Sequence, residues 1–275
     1  MGTGRRGWEF HDRVIVITGA SAGIGRALAV ALAREGALLV VAARRKEALD
    51  EVVAEIEALG ARALAVAADV SVPEDCERLI REAVARFGRI DALVNNAGIS
   101  MWARFEELED LSILDRIMRV NYLGAAHCTF HALPYLRQRQ GLLVAVSSLT
   151  GKTGVPTRSG YAASKHAMQG FFDSLRVELM GSGVDVLVIS PGFVETGIRA
   201  SAFGADGDAR GESPRDESKN TMSLPECTAL IVEAMRHRRR ELVMTRTARV
   251  GQWVKLIAPG VIDRVAARML REKGQ

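Results

Sequence analysis

The chain has 275 residues, 48% of them hydrophobic and 25% charged, with a net charge of +4. Those proportions suit a folded domain with a substantial core and exclude a disordered or fibrous chain. With only 5% aromatic residues there is little to stack on single-stranded nucleic acid, and the mild positive charge favours anionic ligands without requiring nucleic acid as a partner.

Residues 14–18 (VIVIT) form a β-branched run expected to be a strand. It leads into TGASAGIG (residues 18–25) and a helical pattern over 26–35. Strand, glycine turn and helix in that order is the context of a phosphate-binding loop. Gly19 permits the tight turn, Gly23 lets backbone approach a pyrophosphate, and Gly25 allows close helix–strand packing. With Ser21, Ala22 and Ile24 they would set the pyrophosphate on the first N–H groups and the positive dipole end of the helix. The spacing is GxxxGxG, which departs from GxGxxG.

The second apolar run, 38–43, ends in Arg44-Arg45 with no carboxylate before Glu47. At this strand end an acidic residue would accept the ribose hydroxyls of NAD, whereas an arginine accommodates the 2′-phosphate of NADP. The guanidinium fork suits phosphate, so Arg44 points to NADP in preference to NAD. A helical segment, 46–59, stops at Gly60. A third strand, 63–68, leads to Asp69-Val70. The Asp69 carboxylate suits the adenine amino group and equally suits a cap on the next helix, near Pro73; both readings stay open.

The fourth strand, 90–94, ends in NNAG (95–98), where Asn96, Ala97 and Gly98 allow backbone to approach a ligand. After a polar connection over 99–110, one long helix is expected over 111–137, with Asn121 in its apolar half. A buried amide there is costly unless satisfied, so Asn121 is either a helix-bending polar centre or part of a site.

The fifth strand, 142–146, opens through Ser147-Ser148 into a loop that delivers YAASK (161–165) on a helix running to about residue 180. Tyr161 and Lys165 are one turn apart on one face. A phenol has a pKa of about 10, and a nearby ammonium favours the phenolate, which acid/base work near neutrality needs. The sixth strand, 184–189, ends in SPGFVET, which brings Pro191, Gly192, Val194 and Thr196 to the same sheet edge. The expected pocket walls, Ile99, Met101, Trp102, Leu149, Pro156, Phe193, Ile198 and Phe203, are mostly apolar and suit a hydrophobic substrate.

Residues 200–224 turn polar and read as a lid over the substrate or a plain surface connection. A helix over 225–235 ends in RHRRR (236–240), read as a solvated helix end, and a seventh strand is expected over 241–245. The tail, 253–270, is amphipathic. It is expected to pack on its own domain, or else to contact a second subunit, or to lie weakly on a membrane surface. The chain thus divides into an extension (1–12), one domain (13–250) and a tail (251–275). Strands alternating with helices, each ending in small or polar residues, define an α/β fold: a doubly wound parallel sheet with helices on both faces. Ligands bind such sheets outside the strands' carboxyl ends.

Cys76, Cys128 and Cys227 show no CxxC spacing, so neither disulfides nor a zinc or other metal site are expected, and the count suits a reducing cytoplasm. No apolar run precedes the first strand and no window reaches about 18 apolar residues. The sequence is therefore expected to carry no signal peptide, anchor or transmembrane segment.

Together, TGASAGIG, NNAG, Asn121, Ser148, YAASK and the Pro191-Gly192 turn resemble the short-chain dehydrogenase/reductase family, over roughly residues 12–246. The glycine spacing TGxxxGIG is that family's own. YAASKHAMQGFFDSLRVEL, SPGFVET and LIAPG are most similar to its hydroxysteroid-dehydrogenase-like branch, whose members often carry an N-terminal anchor. The resemblance implies a single Rossmann-type domain with a seven-stranded sheet, assembled as a homodimer or homotetramer. It implies Tyr161 as acid/base, Lys165 as its activator and holder of the nicotinamide ribose, Ser148 orienting the carbonyl and Asn121 anchoring a relay water. The expected activity is NADP-dependent hydride transfer to or from a small hydrophobic carbonyl or secondary alcohol. Three alternatives compete. A β-ketoacyl-carrier-protein reductase would end in a VDGG-like segment that is missing here. An enoyl reductase would space tyrosine and lysine farther apart. A non-catalytic NADP-binding scaffold would have lost the tyrosine, lysine or serine.

Overall fold

The structure is a computed structural model that describes residues 7–211 and 221–271. Parts of the expected extension (1–6), lid (212–220) and tail (272–275) lie outside the described residues, as do the side chains of 246 and 269–271.

Seven strands, β1 (Val14–Thr18), β2 (Leu38–Ala43), β3 (Arg62–Ala67), β4 (Ala92–Asn95), β5 (Leu142–Val146), β6 (Asp185–Ser190) and β7 (Glu241–Val243), form one sheet in the order β3-β2-β1-β4-β5-β6-β7. Every neighbouring pair is parallel. Strands covered on both faces read as unbroken apolar runs, and β1 and β5 are buried along their whole length. Ile15 and Ile17 point into one core with Leu28 of α1 (Gly23–Arg34), Leu49 of α2 (Lys46–Ala58) and Ile231 of α7 (Leu224–Arg236). Val14 and Val16 point into the other, with Leu79 of α3 (Pro73–Phe87), Cys128 of α5 (Gly124–Arg139) and Phe172 of α6 (Ser159–Glu178). The strand order reverses between β1 and β4, which opens a crevice at their carboxyl ends.

The expected helix over 111–137 is three pieces: α4 (Ser112–Met118), a π-helical turn (Arg119–Leu123) and α5. Asn121 lies in the widened turn and is fully buried. Strand β7 stops two residues short of expectation because Thr245 caps α8 (Arg246–Ile257), its hydroxyl accepting from Ala248 N at 3.3 Å. The basic run after α7 is not simply a solvated helix end: Arg236 pairs with Glu35 at 2.9 Å and Arg238 lies 2.8 Å from Asp185.

The tail departs furthest from expectation. It forms α8 and α9 (Pro259–Arg271), broken at Ala258, and none of its described residues is buried. It does not bury its apolar face on its own domain. The bonds that tie it down are polar, Lys255 Nζ to Lys152 O at 2.8 Å and Arg249 Nε to Val243 O at 3.1 Å.

Candidate active site

The turn after β1 is held by its neighbours. Gly19 has a φ of +65°, and a Cβ there would come within 2.7 Å of Ala97 Cα. A Cβ on Gly25 would lie 2.4 Å from Gly19 O. The Thr18 hydroxyl accepts from Asn96 N at 3.0 Å and Ala97 N at 3.1 Å. The Asn96 amide donates to Thr18 O at 2.9 Å and Gly19 O at 3.1 Å. Asn96 therefore braces the turn with its side chain, and Gly25 works as packing beneath it. Ser21, Ala22, Gly23 and Ile24 face a cleft of about 910 Å³. Helix α1 has Ala22 at its N-cap and no side-chain cap, so its first N–H groups are left for an anion, which fits a dinucleotide pyrophosphate.

Arg44, exposed at the end of β2, lines the same cleft, as do Arg45, Asp69 and Val70. One Asp69 carboxylate oxygen accepts from Ser71 N at 2.9 Å and Ser71 Oγ at 2.7 Å. The N-cap of α3 is Val72, so of the two readings of Asp69 the helix cap is not met. Gly98, Pro191, Gly192, Val194 and Thr196 also line the cleft.

Ser148, Tyr161 and Lys165 line the same cleft. The Tyr161 ring is packed among Met101, Ile113 and Ile117. A Cβ on Gly160 would lie 2.5 Å from Leu114 Cδ2, so glycine lets α6 approach α4 there. Ser148 accepts from Thr150 N at 3.2 Å, and its hydroxyl is near enough to the phenol to favour the phenolate. Lys165 is 3% exposed, donates to Val146 O at 2.9 Å and lies 5.7 Å from the Tyr161 ring centroid. Asn121 does not face the cleft. It accepts from Ile99 N at 2.8 Å and donates to Ile99 O at 3.0 Å and to the Ser164 hydroxyl at 2.9 Å. Both amide hydrogens are engaged, so Asn121 joins the π-turn to α6 and to the segment after β4.

The electrostatics differ from the sequence expectation. Burial pushes the Tyr161 phenol above its ordinary value and outweighs the two influences that lower it, the Arg158 guanidinium and the Ser148 hydroxyl. Burial also lowers Lys165 to about 8.

Sequence reasoning missed Arg158. Thr157, at φ +67°, turns the chain so that Arg158 stands at the N-cap of α6 and is 8% exposed. Its guanidinium carbon lies 4.1 Å from the Trp102 ring centroid, 5.7 Å from Phe193 and 5.8 Å from Tyr161. Its place three residues before Tyr161 was the available signal. The expected apolar walls need correction as well. Ile99, Phe193, Ile198 and Phe203 line the cleft, but so do Arg116, Arg119, Arg158 and Arg199. Met101 is fully buried beneath it, and Trp102, Leu149 and Pro156 are not on the wall.

The family model described as short chain dehydrogenase matches residues 13–206. An 11-beta-hydroxysteroid dehydrogenase 1A of Arabidopsis thaliana is 36% identical over 93% of this chain and 74% of the relative. The structure of a short chain dehydrogenase/reductase from Burkholderia phymatum in complex with NAD superposes with a TM-score of 0.81 at 26% identity, covering 92% of this chain and 96% of that one. An alcohol dehydrogenase from the archaeon Thermococcus sibiricus, complexed with 5-hydroxy-NADP, superposes with a TM-score of 0.73 at 27% identity over 82% and 91% of the two chains.

Proposed function

The chain belongs to the short-chain dehydrogenase family and is an NAD(P)-dependent oxidoreductase, and from that premise we propose that it prefers NADP and interconverts a small carbonyl compound and its secondary alcohol. The bound dinucleotide supplies or accepts the hydride. Tyr161 gives its phenolic proton to the oxygen that gains charge in the reduction, and takes one back in the oxidation. Ser148 donates a hydrogen bond to the same oxygen. Lys165, anchored on Val146 O, holds the ribose and adds positive charge beside the phenol. Asn121 acts from behind, through Ile99 and Ser164. The glycine turn, Asp69, Asn96 to Gly98 and the 191–196 segment hold the dinucleotide. The apolar body of the substrate lies against Ile99, Phe193, Ile198 and Phe203. The observation that carries the reading is that Tyr161, Ser148 and Lys165 share one cleft with the uncapped start of α1 and with Arg44.

The protein is further proposed to be cytoplasmic and a homodimer or homotetramer. Exposed Phe130, Val177 and Met180 supply apolar area on α5 and around the end of α6. No described helix is long and apolar enough to cross a membrane.

The test is a paired titration with NADPH and NADH, followed by turnover on a carbonyl panel. Arg44→Asp should reverse the cofactor preference, and an unchanged ratio discards the ribose-phosphate role. Tyr161→Phe should keep cofactor affinity and lose about 100-fold or more in turnover. Retained turnover removes the acid/base assignment.

A further inference from the structure

Among the described residues fourteen large hydrophobic side chains are exposed, and six of them fall between 250 and 265. Val250, Trp253 and Ile257, at 62%, 69% and 82% exposure, occupy i, i+3 and i+7 of α8 and form one outward stripe. Leu256 beside them is 77% exposed. Val261 and Val265, one turn apart on α9, are exposed as well. A contiguous apolar surface of this kind marks a site of contact with something else.

Charge identifies what. Residues 246–271 carry six arginines and lysines against a single acid, Asp263. Without them the chain's net charge of +4 would be slightly negative, so the tail holds the whole positive excess of the protein. A second copy is a poor partner, because a two-fold contact would set one cationic tail against another. The rest of the chain, close to neutral, offers no matching charge. A nucleic acid would answer the charge and leave the aliphatic and tryptophan stripe in water. One surface answers both: an anionic bilayer, with the stripe in the headgroup–acyl boundary and the segment's positive charge, Arg264 and Arg268 included, attracted to the lipid phosphates and carboxylates.

We propose that α8 and α9 are a membrane-surface element that docks the enzyme on anionic lipid bilayers. It spans nothing; it lies in the interface. The proposal is independent of cofactor and substrate, since it rests on the tail alone.

The test is co-sedimentation of the full-length protein with vesicles of phosphatidylcholine, and of phosphatidylcholine with about one third phosphatidylserine. Binding to the anionic vesicles should exceed binding to the neutral ones by roughly tenfold and fall away when salt is raised from about 0.1 M to about 1 M. The pairs Trp253→Glu with Ile257→Glu, and Arg264→Glu with Arg268→Glu, should each abolish binding while leaving the thermal unfolding transition in place. Salt release of the unaltered protein reads the same property without any variant. Equal binding to both vesicle types, no binding to anionic vesicles, or binding that survives both pairs overturns the proposal. So does light scattering in which either pair dissociates an oligomer that ignores vesicles, because a second copy then covers the stripe.

Discussion

Burial acts in opposite senses on the two side chains of the YAASK pair: it holds the Tyr161 phenol protonated and drives the Lys165 ammonium toward losing its proton, near 8. The cost of burying that ammonium can be measured through pH. A lysine in an unfolded chain titrates at about 10.4. Below pH 8 both states carry the charge, and folding bears the full penalty. Between about 8 and 10.4 the folded chain releases the proton first, the unfolded chain binds more protons, and stability rises with pH. In Lys165→Met this dependence is removed. The difference in unfolding free energy should therefore move by roughly 2 kcal/mol in favour of the unaltered protein between about pH 7 and pH 10. Chemical denaturation at each pH reads it, and a flat difference would mean that Lys165 is not buried as a charge. The YAASK pair was legible because one helical turn suffices to bring its members together. Arg158 was not, since its entry to the site depends on the left-handed backbone of Thr157 and on Trp102 and Phe193, which come from distant segments.

Elements are pinned at the far edge of the sheet by a carboxylate that does no chemistry. Asp91, fully buried just before β4, accepts from Val14 N at 2.9 Å and pairs with Arg13 at 3.0 Å, Arg89 at 3.0 Å and Arg139 at 3.3 Å. It ties the starts of β1 and β4 to the end of α5. Asp91→Asn leaves the arginines without their counter-charge. Because those arginines are 32–39% exposed, the loss should be about 2–3 kcal/mol, at or below the lower end of the range for wholly buried pairs. Thermal unfolding should show it, while dinucleotide affinity, set at the opposite edge of the sheet, stays unchanged; a fall in affinity would contradict that separation. The seven strands and their spacing were legible, because each is a mainly aliphatic run, and β1, β4, β5 and β6 stop at glycine, asparagine or serine. The π-turn at Arg119–Leu123 was not, as one extra residue per turn scarcely alters apolar periodicity. Its one trace in the sequence was Asn121, an amide in an apolar stretch whose hydrogen bonds to Ile99 and Ser164 fit the reading as a polar centre of the helix.

At the scale of the whole molecule, basic residues outnumber acids in both the tail and the cleft. The alternation of strands and helices specified the doubly wound sheet and the edge where ligands bind. It specified that the tail has an apolar face and gave no information on what covers it, because amphipathicity is a property of one helix and burial is a property of two partners. The cleft carries Arg44, Arg45, Arg116, Arg119, Arg158, Arg199 and Lys165 along its described walls against Asp69 alone. An electropositive cleft concentrates anions, and salt screens the effect over a Debye length of about 10 Å at 0.1 M and about 3 Å at 1 M. NADPH and NADH share the pyrophosphate and differ by the 2′-phosphate. If Arg44 meets that phosphate, the affinity for NADPH should fall more steeply with salt than the affinity for NADH. Arg44→Asp should bring the two slopes together, because only the ribose-phosphate contact separates them. Isothermal titration at several salt concentrations gives both slopes. Parallel slopes in the unaltered protein would show that the cleft's charge acts on the pyrophosphate alone and that Arg44 reads nothing.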